Sequence, residues 1–286
     1  MDKLTYQLKE LRDENREGSF STQQARKEGH NLISSQLKEL GFNQMNVNAL
    51  KEKHVVALVE RWKKEDISPG TMKNRMSHIR WTIKKVNPAR QIPTNKELGI
   101  KNRVFVTNIS KAVKLEQKHL DKISDPNIRD SLRLQAAFGM RREESMKVIL
   151  SQADKGTHLA MKGSWCKNGR PRNIPINHQR VLVNKLKDIY GKNSLVPQDK
   201  SYKQHLTTYK NTVPKAGLDG KAHGIRHNYI QERYKAITGN DCPACGGKRQ
   251  RDMPKEERAI DREARLQIAE ETGHSREQIT SVYLGS

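Results

Sequence analysis

Two arginines, two histidines, a lysine and a tyrosine in the second half of this chain are the side-chain types that grip and attack a phosphate. They fall in four short stretches: FGMRREES (138–145), CKNGRPRNIPI (166–176), HGIRHNY (223–229) and TGHSREQITSVY (272–283). In the first, a helix ending at Gly139 gives a tight turn, and Arg141 opens the next helix with Glu144 three residues on, within side-chain reach. The planar fork of Arg141 suits a phosphate, although a surface Arg–Glu pair would look the same. Lys167 lies on the approach to a hairpin tip, from which a flexible ammonium can reach a site built by other elements. An ordinary exposed turn lysine has the same signature. His223 and Arg226 are three apart, so on a helical turn they share a face and can bind one small anion, while His227 points elsewhere. Ser275 and Gln278 form a Ser-x-x-Gln capping box, which starts a helix and leaves His274 just ahead of its N-terminus, where anions are favoured. Tyr283 follows about two turns later. A straight helix would hold His274 and Tyr283 ~13 Å apart at ~1.5 Å per residue, so both can serve one phosphate only if the helix ends or bends between them. The plainer reading of Tyr283 is an aromatic buried by a C-terminal helix.

These residues need elements to position them. Residues 1 to about 90 read as helices. Residues 21–40 run up to Gly41, a C-cap signal. Residues 51–65 place Val55, Val59 and Trp62 on one face. The clearest helix is 68–86, with Ser68 as N-cap and Pro69 as first helical residue. Met72, Met76, Ile79, Ile83 and Val86 form its apolar stripe. Lys73, Arg75, Arg80, Lys84 and Lys85 lie off that stripe, so the helix presents a basic face that can lie against DNA phosphates or simply be solvated. Residues 87–106 hold two prolines, a glycine and little periodicity, and read as a connection, giving a first domain over 1–90, a linker over 91–106 and a second domain over 107–286. In the second domain, residues 158–163 and 170–176 are β-like and flank Asn168-Gly169, a hairpin signal. A helix follows over 178–191.

Composition narrows the class. The 286 residues carry 55 Lys and Arg against 32 Asp and Glu, a net charge of +23 spread along the chain. Folded surfaces this basic imply a polyanionic partner, and nucleic acid is the usual one. With 5% aromatic and 34% hydrophobic residues, helix-rich packing is expected over a large β-sandwich. Nothing resembles a signal peptide or a membrane span, and Cys166, Cys242 and Cys245 suggest no disulfide framework, which fits a reducing cytoplasm. Cys242 and Cys245 have the Cys-x-x-Cys spacing of a zinc knuckle, but no second cysteine pair exists, so a loop with two reduced thiols is expected and no metal site.

Taken in order, Arg141, Lys167, His223, Arg226, His274 and Tyr283 resemble the tyrosine recombinases, or phage integrases. GMRREES resembles that family's Gly-x-Arg-x-x-Glu box, and KNGRPRNIPI its hairpin lysine segment. HGIRH matches His-x-x-Arg-His, and GHS with a tyrosine nine residues after the histidine matches the last box. The layout is similar across the whole chain. The departures are Phe138 where the family often has Thr, Asn228 where it often has Ser or Thr, and 48 residues from Arg226 to His274, which implies an insertion at about 239–262. Only three residues follow Tyr283, where members often carry a further helix that docks on a neighbouring protomer.

The resemblance implies a mainly α fold with a small β-sheet in the catalytic domain: a helical DNA-clamping domain of the SAM-like core-binding type, then an α+β catalytic domain. It implies strand cleavage and rejoining on double-stranded DNA by a tetramer, with neither metal nor nucleotide cofactor. By this resemblance Arg141 and Arg226 clamp the non-bridging oxygens and His274 adds a third hydrogen bond. His223 is base or orienting donor, Lys167 protonates the leaving 5′ hydroxyl, and Tyr283 attacks to leave a 3′-phosphotyrosyl bond. A type IB topoisomerase-like nicking-closing enzyme shares this chemistry without partner exchange, and a DNA-binding relative that lost catalysis is the reading from another class.

Overall fold

The computed structural model describes residues 2–219, 221–274 and 276–286, and the chain divides into two compact units, residues 1–104 and 105–286. The first unit is helical: α1 (Lys3–Glu14), α2 (Phe20–Glu39), α3 (Glu52–Lys64) and α4 (Pro69–Val86). The Ser68 hydroxyl accepts the Thr71 N–H and Pro69 opens α4, as the capping signals predict. After α2, Gly41 takes φ +88° and the Phe42 N–H reaches the Leu37 carbonyl, so the helix ends in a left-handed C-cap. Val55, Val59 and Trp62 from α3 meet Met72, Met76, Ile79 and Ile83 from α4 in one core. Val86 is only partly buried against it. The Trp62 indole N–H is satisfied inside that core by Gln36 Oε1 at 2.8 Å.

The expected linker over 91–106 is corrected over most of its length. Residues 94–100 form a hydrogen-bonded turn that inserts Leu98 and Ile100 into the first unit's core. Arg103 then donates to Gly70 O and Asn74 Oδ1, both at 2.6 Å. Two apolar side chains flanking Gly99 are enough to dock a segment whose proline content reads as a connector.

The second unit contains α5 (Gln117–Asp121), α6 (Pro126–Phe138), α7 (Arg142–Lys147) and α8 (Leu150–Ala153). A hairpin of β1 (His158–Met161) and β2 (Arg172–Pro175) follows, then α9 (Arg180–Tyr190), α10 (Tyr202–Thr212), α11 (Ala222–Thr238), α12 (Lys255–Thr272) and α13 (Ser281–Leu284). The two strands are antiparallel, with Leu159 opposite Ile174 and Met161 opposite Arg172. The Asn168-Gly169 dipeptide does not make the tight two-residue turn its sequence predicts. Two 3-10 turns, Gly163–Trp165 and Lys167–Gly169, intervene, because Trp165 tucks into the core beneath the sheet. Helix α11 packs against α6, α12 and α13, and β2 lies on α12. The expected insertion is built in: Gly239 ends α11 at φ +72°, two 3-10 turns follow, and the remainder becomes the first turns of α12. Cys242 joins the core formed by Ile230, Tyr234, Ile268, Tyr283 and Leu284. Among the described residues no helix is long and apolar enough to cross a membrane.

Candidate active site

Arg141, Lys167, His223, Arg226, His274 and Tyr283 all line one cavity of about 590 Å³ in the second unit. Arg141 is the N-cap of α7, held there because α6 stops at Gly139 (φ +57°). A Cβ at Gly139 would come 2.3 Å from the Tyr229 ring, so the turn depends on glycine for space as well as conformation. Glu144 accepts the Arg141 backbone N–H at 2.7 Å and its guanidinium at 2.8 Å, the local pairing expected from their spacing.

The C-terminus of α12 gathers three guanidinium groups. Arg172 Nε donates to the Glu271 carbonyl at 2.9 Å. Arg226 donates to the Thr272 carbonyl at 2.7 Å, and Arg141 donates to the same oxygen at 3.3 Å. Arg226 also donates to Gly139 O and, at 3.1 Å, to His274 Nε2. The last carbonyls of a helix carry its negative dipole end and lack intrahelical partners, so cations collect there. Gly273 closes the helix at φ +68°, and the His274 N–H returns to the Ala269 carbonyl at 2.8 Å. His274 is therefore fixed by the end of α12. The expected helix start at Ser275 lies outside the described residues. Further on, the chain forms a 3-10 turn at Glu277–Ile279 and then the short α13, not one continuous helix.

That break brings the two ends together, as the distance argument required. The His274 and Tyr283 rings stack with centroids 5.3 Å apart and 21° between planes. The Tyr283 hydroxyl lies 3.3 Å from His223 Nε2. His227 also packs on Tyr283, its ring 4.4 Å away, so the expectation that it points elsewhere is corrected. The tyrosine's backbone is braced from beneath. Gln231 Nε2 donates to the Tyr283 carbonyl and Arg265 donates to the Gly285 carbonyl, each at 2.9 Å. Arg265 is itself neutralised by Asp261 at 2.8 Å, both side chains fully buried.

Burial, then the nearby Arg226 and Arg141, hold His274 down to about 3. Burial followed by Arg226 lowers His223, and burial followed by His223 brings His227 to about 4. All three rings are thus neutral at neutral pH. Since a guanidinium only donates, Nε2 of His274 is the acceptor of Arg226 and the proton sits on Nδ1, toward Thr272 Oγ1 at 3.2 Å. Burial would push Glu144 up, but Arg172 and Arg141 outweigh it and hold the carboxyl at about 2. Burial and the neighbouring Arg141 lower Arg226 to about 10, a cation short of counter-charge.

No curated protein matches the chain in sequence. A family profile described as "Phage integrase, N-terminal" matches residues 1–91, and one described as "Integrase" matches residues 101–232. The chain belongs to the phage integrase family. Solved structures share the fold. A lambda integrase dimer bound to a COC′ core site is 15% identical, with TM-score 0.64, over 98% of this chain and 76% of that one. The Tn1549 transposon integrase in complex with circular intermediate DNA is 13% identical, with TM-score 0.58, over 100% and 96%. XerH site-specific recombinase bound to difH is 14% identical, with TM-score 0.56, over 98% and 81%. The integrase profile stops at residue 232, so His274 and Tyr283 join the cavity on the geometry and on the spacing of their own short stretch.

The basic face expected on α4 of this integrase is largely engaged within its own unit. Lys73 donates to Asn102 Oδ1 at 2.8 Å, and Arg80 donates to Pro93 O at 2.9 Å and Asn95 Oδ1 at 3.1 Å. Arg75 lies over the Trp62 ring at 5.2 Å, Lys85 pairs with Glu17, and Lys84 is exposed. Cys242 and Cys245 are free thiols, and among the described residues no group of three or more His, Cys, Asp or Glu side chains is placed to hold a metal ion. Sequence reasoning passed over Arg172. Its signal is strand alternation: it shares the inward face of Ile174 and Ile176, where a charge must be paired.

Proposed function

We propose that this chain is a site-specific DNA strand transferase that cleaves and rejoins DNA through a 3′-phosphotyrosyl intermediate. The observation that carries the reading is the Tyr283 hydroxyl at 3.3 Å from His223 Nε2, in a cavity also lined by Arg141, Arg226, two further arginines, Lys167 and His274. A tyrosine hydroxyl at its ordinary pKa near 10 needs a base or a strongly positive site to attack a phosphodiester. His223, neutral in this setting, accepts that proton at Nε2. Tyr283 Oη bonds to phosphorus, the P–O5′ bond breaks, and Lys167 supplies the proton that the departing 5′ oxygen takes up.

Arg141 and Arg226 bind the non-bridging oxygens, where charge grows in the transition state. Arrival of an anion beside His274 favours its charged form, so Nε2 gains a proton and turns from acceptor into a third donor. Rejoining runs the same steps backward with a 5′ hydroxyl from another strand, and a tetramer on two duplexes supplies that strand. The first unit serves as the helical DNA clamp, with exposed Lys84 on α4 as its readiest phosphate contact and Lys73, Arg75, Arg80 and Lys85 as contacts that must first leave their partners within the unit. Such binding weakens steeply with added salt.

Covalent trapping tests the reading. Wild-type protein and Tyr283→Phe are incubated with fragmented DNA of the host and its mobile elements, denatured, and assayed for protein that carries DNA. An adduct confined to the wild type is expected, and the trapped DNA identifies the site. DNA binding by the wild type without an adduct on any fragment would overturn the proposal.

A further inference from the structure

We propose that Arg172 on β2 is a positioning residue for this chemistry: it fixes Arg141 through Glu144, and His274 through the end of α12, and ties both to the hairpin that carries Lys167. The inference rests on the function proposed above. The Arg172 side chain is 4% exposed and makes a forked contact with Glu144, Nη2 to Oε2 at 2.7 Å and Nη1 to Oε1 at 3.1 Å. Glu144 Oε1 is the same atom that accepts from Arg141. The third donor, Nε, holds the Glu271 carbonyl. Nη1 also lies 3.2 Å from the Sγ of Cys166, next to Lys167. A Cβ on Gly273 would come 2.9 Å from Arg172 Cδ, so the guanidinium stem lies against the turn that delivers His274.

Stability alone does not account for this arrangement. A buried ion pair roughly breaks even against apolar packing, and the neighbouring inward positions of this strand are isoleucines. The charge balance points to the anion. Glu144 alone would neutralise Arg141. Shared between Arg141 and Arg172, with Arg226 nearby, it leaves three guanidiniums against one carboxylate, a net of two positive charges. Lys167 and the other arginines of the cavity add to that excess, so the site favours an anion, and most of all the state in which its charge grows. The fork also sets direction. Only a planar group can hold both carboxylate oxygens of Glu144 while its Nε points at a helix end.

The experiment compares wild type, Arg172→Lys and Arg172→Gln for the rate of adduct formation on the same fragmented DNA, for retention of that DNA, and for thermal unfolding. Arg172→Lys keeps the charge and loses the fork. It should stay folded and bind DNA as the wild type does, yet react about 10-fold slower, with Arg172→Gln about 100-fold slower, the scale of a small misplacement of reacting groups. A pH profile separates positioning from bulk structure. Glu144 is faced by Arg141 from the α7 cap, Arg172 from β2, Arg226 from α11, His274 after α12 and the Cys166 thiol before Lys167. Without Arg172, burial raises its carboxyl, so the rate of Arg172→Gln relative to wild type should fall further as pH drops through the carboxylate range. Wild-type rates in both variants, losses that merely follow the folded fraction, or unfolding of both would overturn the inference. Absence of any wild-type adduct would instead fail the function on which it rests.

Discussion

Replacing Arg226 by lysine is expected to slow formation of the covalent DNA adduct by about a thousandfold, the upper range for removal of one preorganised donor at a developing oxyanion and the lower range for an arginine that stabilises phosphoryl transfer. The reason is geometric. Arg226 is buried, and it spends donors on Gly139 O, Thr272 O and His274 Nε2. Those contacts join α6, α12 and the His274 turn around one cation. A lysine ammonium keeps the charge but cannot hold three acceptors in one plane and still face the cavity. His274 would also lose the donor that sets its tautomer. DNA binding, dominated by many phosphate contacts, should fall far less. An Arg226→Lys protein that reacts within 10-fold of wild type while fully folded would contradict this.

Glu144→Gln is the second large effect, and it falls on stability. Glutamine is nearly isosteric but leaves Arg141 and the buried Arg172 without the carboxylate they share, a loss of about 3–5 kcal/mol for breaking a buried pair from one side. The pH dependence identifies the cause. The Glu144 carboxyl is held at about 2, below its ordinary value of 4.5. A depressed carboxyl contributes stability that is fully present above the unfolded value and is lost as pH falls through the folded one. The difference between wild type and Glu144→Gln should therefore be constant from pH 7 to about 5, then narrow toward pH 2 by up to about 1.4 kcal/mol per pH unit. Denaturant unfolding at pH 6 and pH 3 measures it, and a gap that ignores pH would assign the loss to packing.

The sequence revealed what is encoded locally. Ser68 and Pro69 at the start of α4, Gly139 at the end of α6, and Arg141 with Glu144 are all interactions within three or four residues, and each is found where the spacing placed it. The six candidate residues could be named from four boxes, because each box is short. Their convergence could not be derived from spacing. It depends on α12 stopping at Gly273 and on a 3-10 turn that shortens the path from His274 to Tyr283. Arg172 and His227 were missed for a related reason. Strand alternation and helix periodicity say which way a side chain points, but not which distant carboxylate or aromatic ring it meets. The connector over 91–106 misled because Pro and Gly report local backbone preference, whereas Leu98 and Ile100 act through a core formed by residues far earlier in the chain. The lysines and arginines of α4 show the same limit: a basic stripe is visible, its Asn102, Pro93 and Glu17 partners are not.

Tyr283 is anchored by Gln231 and Arg265 of its own polypeptide and reaches its own His223. In an assembly of several copies, each reaction centre then succeeds or fails as a unit, with no lending of the nucleophile between neighbours. Tyr283→Phe, which lacks the attacking hydroxyl, and the slowed Arg226→Lys should accordingly react no faster when mixed on DNA than Arg226→Lys does alone, since no centre regains both groups. Adduct formation by the mixture well above the Arg226→Lys rate would mean that this brace lets go and the tyrosine crosses to another protomer. In genetic terms, the expected behaviour is non-complementation: a damaged copy removes one whole strand cut from the cycle and leaves its neighbours' cuts untouched.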